Sequence, residues 1–279
     1  MNNITRRACL ALGASGLGVL ALAWPAHAYT IFPPHSMVAG RSIADWTAAW
    51  WTWALQAPVS ENPLNDTNGA FATRNNNGPV FFVAGTFGTS GPVTRSFDVP
   101  AGKPILFPLV NLFDTEPAEI DPPTATLEDR KTAAELVVAG WVNAVDPASL
   151  FASIDGSAVT NPAQYLELTG LFSMGPAQAG SLIASLGVPV GAELYPTKAA
   201  GYWLMIDGLA PGSHTLHFGG SSNAFTPEAN CCTTSEISAF STDVTDNIFI
   251  PEPASALLLV TGLLGLFALR LTPLARDRC

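Results

Sequence analysis

Across residues 79–111, three runs rich in Val, Phe and Ile, PVFFVAGTF (79–87), VTRSFDV (93–99) and PILFPLVN (104–111), are separated only by GTSGP and PAGK. Runs this short, β-branched or aromatic and bounded by Gly and Pro, cannot propagate a helix and read as strands joined by tight turns. The texture returns in SLFASIDG (149–156), QYLELTG (164–170), GYWLMIDGLAPGSHTLHFGG (201–220) and AFSTDVTDNIFI (239–250). Asp207-Gly208 and Pro211-Gly212 supply the turn inside the longest of these. Seven to nine such strands without an alternating βα rhythm predict a mainly β fold, an antiparallel β-sandwich or jelly-roll-like domain carrying two packed helices.

The helices announce themselves by their caps. Ser42-Ile43-Ala44-Asp45 and Thr126-Leu127-Glu128-Asp129 both have the Ser/Thr-x-x-acid form of a capping box. The first opens WTAAWWTWALQ, which meets no breaker before Pro58, and the second opens a helix over 126–145 that Asp146-Pro147 ends. Leu127, Ala134, Val138, Trp141 and Val145 share one side of the second helix. Residues 180–187 hold at most a short helix. In the first helix Trp46, Trp50 and Trp53 recur at i, i+4 and i+7, putting three indoles on one face. Such a stripe either closes a sheet as a buried face or stacks on sugar rings.

Both ends of the chain read as addresses. Arg6 and Arg7, an apolar stretch over 8–24 and the small residues Ala26 and Ala28 around His27 form a secretory signal peptide, 1–28, that leaves Tyr29 as the mature start. The paired arginines leave both twin-arginine and general secretory export open. At the other end residues 254–269 carry no charge, and as a helix they would be about 24 Å long, enough to span a slightly thinned bilayer with help from 271–274. Arg270, Arg276 and Arg278 stand on one side only, which assigns that side to the cytoplasm and the body, 29–250, to the exterior.

Pro251-Glu252-Pro253, an apolar helix and a basic end, in that order over 251–279, resemble the PEP-CTERM sorting signal. The resemblance implies an exosortase-type processing enzyme as partner, a transient transmembrane helix, cleavage near the triplet and delivery to the cell exterior. It covers about thirty residues. The body segments WWTWA, GPVFF, VPAGK, GYW and PGSHTLHFGG are similar to secreted bacterial proteins to which no activity is attached.

Residues 29–250 contain seven Lys or Arg against twenty Asp or Glu, a net charge of −13. That balance disfavours nucleic acids and anionic membranes, which require basic patches that displace counterions. Only Cys231 and Cys232 survive removal of both ends, and adjacent cysteines cannot build a spaced disulfide framework. A vicinal disulfide, an intermolecular bridge and two free thiols all stay open.

Chemistry-bearing residues are sparse. His214 and His217 lie three apart on a strand and point to opposite faces, so they do not share an ion, with or without His35. Asp66 among Asn65, Asn68 and Asn75 to Asn77 matches no calcium loop and reads as turn chemistry. Neither a nucleophile elbow nor a phosphate or dinucleotide loop is present, and no cofactor is implied. Asp114, Glu116, Glu119 and Asp121 are the densest acidic cluster and the source from which a glycosidase pair would have to come. The expectation is an exported cell-surface or extracellular-matrix protein with no biochemical activity assigned, a structural or binding protein ahead of an enzyme, with exopolysaccharide as a partner. The alternative is a secreted carbohydrate-active enzyme or hydrolase on the same sandwich.

Overall fold

A computed structural model describes residues 29–87, 91–228, 232 and 235–252. The signal peptide with Ala26 and Ala28, Cys231, and everything from Pro253 through Arg270, Arg276 and Arg278 lie outside the described residues. No helix among the described residues is long and apolar enough to cross a membrane.

The body is mainly β and sandwich-like. In chain order it runs β1 (Thr30–Ile31), β2 (Met37–Val38), β3 (Arg41–Ser42), α1 (Ile43–Leu55), β4 (Phe81–Phe82), β5 (Val93–Asp98) and β6 (Ile105–Thr115). There follow α2 (Leu127–Ala144), β7 (Phe151–Ile154), β8 (Ser157–Ala158), β9 (Leu166–Leu168), α3 (Leu182–Ser185), β10 (Thr197–Asp207), β11 (Gly212–Ser222) and β12 (Phe240–Ile250). One five-stranded sheet is ordered β1-β10-β6-β4 with β9 also on β10, and the other is β5-β12-β11-β7-β8. Most neighbours are antiparallel as expected, but β4 with β6 and β5 with β12 are parallel, so the sandwich is mixed.

Two cores explain why β6 and β10 read as continuous apolar runs and not as alternations. Ile105, Phe107 and Leu109 of β6, with Leu204 and Ile206 of β10, face the second sheet, where Phe107 meets Phe218 at 4.9 Å between ring centroids. Leu106, Trp203 and Met205 face the other way, into a second core roofed by α1. A strand covered on both faces carries apolar residues in both phases. The strands of the second sheet keep the alternation, β12 burying Val244, Ile248 and Ile250 while Phe249 is exposed.

Both capping signals are used. Asp45 N–H donates to Ser42 Oγ, whose hydroxyl donates to the Asp45 carboxylate, and the full reciprocal box forms between Thr126 and Asp129. On α1, Trp46 and Trp50 are buried as a packing face and Trp53 is half-buried, but the face is wider than the stripe and also takes in Ile43, Trp51, Ala54 and Leu55. Trp50 donates its indole N–H to Val83 O at 2.9 Å and stands edge-on to Trp203. On α2 the buried set is Ala133, Ala134, Val137, Val138 and Trp141, and Leu127 is exposed.

Candidate functional site

Three carboxylates converge where β6 ends. Thr115 and Thr197 hydroxyls meet at 2.8 Å across the last β6–β10 register pair, and Glu116 N–H donates to Pro196 O at 3.0 Å. From α2, Arg130 donates to Glu116 O at 3.1 Å and to Tyr195 O at 3.4 Å, tying the helix to the strand end. These contacts bury Glu116 and fold the Pro117–Pro123 loop so that Asp121 returns to it. Oxygens of Glu116 and Asp121 and the Cys232 sulfur lie within 4.8 Å of one another, and Glu116 is hydrogen-bonded to Asp114 and to Asp121. Glu119, the fourth acid of the sequence cluster, is exposed.

Two carboxylates in hydrogen-bond contact require a proton between them, because like charges so close cannot both ionise cheaply. Asp114 is pushed up to about 6, mainly by burial, with the Asp121 charge adding to it and the Glu116 hydrogen bond opposing. Asp121 is pushed up to about 7, again by burial first and then by Glu116, while Arg130 pulls it down. The Oδ2 atoms of both aspartates are buried without a hydrogen-bond partner. Near neutrality the cluster can therefore hold shared protons, or the same oxygens can take a hard cation. A soft metal is excluded at Cys232, which is disulfide-bonded and has no thiolate to give. Glycoside hydrolysis needs carboxyl groups about 5 Å or more apart with the sugar between them, and Glu116, hydrogen-bonded to each aspartate, does not have that spacing with either.

The other sequence-level candidates are dispersed. His214 Nδ1 pairs with Asp155 at 2.8 Å and His217 Nε2 with Asp243 at 3.1 Å, so each histidine has its own carboxylate. His35 lies on Glu167, on the first sheet. Asp66 spends both oxygens inside its loop, accepting from Asn68 and Gly69 N–H on Oδ1 and from Phe71 N–H on Oδ2. The burial of Trp46 and Trp50 removes them from any sugar-stacking role, and Trp53, half-buried, lines a cavity. Cys232 is half-buried and disulfide-bonded, so it is not a free thiol, and its partner lies outside the described residues.

Two charged contacts were missed in the sequence although a signal existed. Arg95 and Asp246 each occupy the apolar phase of an otherwise alternating strand, which is where a buried ion pair must sit. Glu167 likewise stands at a buried position of β9 and takes the backbone of His35. No family model matches the chain, and neither a curated protein nor a solved structure is similar to it.

Proposed function

We propose that the chain is an exported protein of the cell surface or extracellular matrix, held briefly in the inner membrane by a C-terminal sorting helix and released by an exosortase-type enzyme. Its body acts by binding and not by turnover. The observation that carries this reading is the abrupt change at Ile250. That residue is buried and pairs with Gly212 in the last register position of β12, whereas Pro251 and Glu252 are exposed. A processing enzyme would thus reach the triplet without unfolding the sheet. The net charge of −13 on 29–250 fits life outside the cell without nucleic-acid or anionic-membrane partners.

The alternative, a secreted carbohydrate-active enzyme or hydrolase, draws on the carboxylate cluster, and the contact between its members opposes it. Intact-mass analysis of released protein tests the proposal: the expected species begins at Tyr29 and ends close to Pro251-Glu252-Pro253. A released species that still carries Cys279 overturns it. Glu252→Ala should leave the protein in the membrane fraction.

A further inference from the structure

The outward face of α1 is the floor of a groove. A cavity of about 540 Å³ is lined by Arg41, Asp45, Ala48, Ala49 and Phe172, and one of about 310 Å³ by Trp53, Gln56, Arg74 and Asn75. Ala49 and Thr52 line both, so the two are continuous along the helix. From Asp45 to Gln56 the floor is about 16 Å long at the rise of an α-helix. It suits an extended chain better than a single small molecule.

The walls are fixed. Arg41 lies over the Trp46 ring at 5.0 Å from its centroid. Trp53 donates its indole N–H to Arg74 O at 2.7 Å, which sets the ring plane beside the groove. Gln56 donates to Met174 O and Pro176 O and accepts from Gln178 N–H, clamping the 172–178 loop against the helix. The site is preorganised, so little ordering cost would fall on a ligand.

Charge and chemistry select the occupant. Arg41 and Asp45 line one cavity together and Arg74 is ion-paired to Glu61, so the charges along the groove offset one another on an acidic protein. A polyanion gains nothing there and is repelled elsewhere. A peptide cannot pair with the floor as an added strand, because the floor is a helix whose backbone bonds are internal. Aromatic walls at Phe172 and Trp53, with planar donors and acceptors at Arg41, Asp45 and Asn75, match the apolar ring faces and hydroxyl edges of a sugar. We infer that this groove binds a neutral glycan chain, with Trp53 and Phe172 as the stacking walls. The inference deepens the binding role proposed above and assigns it a place.

The test uses the full chain, purified irrespective of its export, titrated with neutral cello-, xylo- and malto-oligosaccharides and separately with alginate, following tryptophan emission and heat. Ala49→Gln fills the floor at a half-buried position of α1 that lines both cavities. It should keep the melting temperature and weaken binding at least about ten-fold, the equivalent of ~1.4 kcal/mol. Trp53→Phe, which keeps an aromatic wall but drops the anchor to Arg74, should weaken it less. Binding to alginate alone, binding unchanged in Ala49→Gln, or no binding to any neutral glycan each overturns the inference. An intact Cys279 in released protein would instead refute the sorting reading and leave the groove standing.

Discussion

Arg95 Nε donates to Asp246 Oδ1 at 2.7 Å and Arg95 Nη2 donates to Oδ2 at 2.9 Å, a two-point ion pair directly across the parallel β5–β12 register. Both side chains are buried, and the guanidinium also reaches the carbonyls of Ala84 and Gly85, so it ties the second sheet to the loop that leaves the first. Burial raises the Asp246 carboxyl while Arg95 holds it down, which means that the acid depends on its partner to stay charged. Arg95→Met should therefore cost about 3–5 kcal/mol by chemical denaturation, because it strands a buried acid. The double change Arg95→Met, Asp246→Leu should recover most of that loss. A single substitution costing under about 1 kcal/mol would show that the pair is not desolvated as described.

The carboxylate cluster predicts a pH dependence of definite sign. Asp114 and Asp121 sit at about 6 and about 7 in the folded protein against the usual 3.8. The folded state thus keeps protons that the unfolded chain has released. Their contribution is fully present below about pH 4 and is lost as pH rises through about 7. Asp129, lowered by its hydrogen bonds from Thr126, works in the opposite sense and only in acid. Comparing the protein with Asp121→Asn isolates the cluster: the variant should lose less stability between about pH 4 and about pH 7. Equal slopes in the two proteins would refute the assignment.

Those predictions rest on features of unequal visibility in the sequence. Helix caps at Ser42 and Thr126 were legible because capping is a local hydrogen-bonding rule, and both are used. The tryptophan stripe was legible as a packing face but one column too narrow. Trp51 could not be assigned until Phe113, 4.7 Å away on β6, was in place. The parallel pairings of β4 and β5 were hidden, since strand order depends on partners far along the chain. Of the four acids in the sequence cluster, proximity along the chain correctly grouped Asp114, Glu116 and Asp121. It said nothing of the Cys232 sulfur brought to them from more than a hundred residues away.

Trp50 is the centre of the second core. Its ring meets Trp51 at 4.9 Å, Trp203 at 5.1 Å and Trp53 at 6.0 Å, and it is fully buried. Trp50→Ala should cost about 3–5 kcal/mol. Trp50→Phe should cost less but still leave Val83 O without its donor. Ala49→Gln, beside it at a half-buried position that lines the groove, is the control that should leave the melt close to unchanged.

Glu167 holds the entry to the first sheet. It is buried on β9, and its Oε1 accepts from His35 N–H at 2.6 Å while Oε2 lies 3.1 Å from His35 Nδ1. His35 has a left-handed backbone, φ 61°, which a non-glycine residue adopts at a cost and which this carboxylate compensates. The segment between β1 and β2 otherwise hangs on few bonds, Phe32 N–H to Met205 O and Ser36 N–H to Pro33 O among them. Glu167→Ala removes both contacts and should release this segment before the rest of the body. Amide exchange over residues 32–40 should speed up by about ten-fold or more, the equivalent of ~1.4 kcal/mol of local stability, while β11 and β12 keep their protection. Glu167→Gln keeps an acceptor for His35 N–H and should fall between the two. Uniform loss of protection across both sheets would mean that Glu167 supports the whole fold and not the local turn.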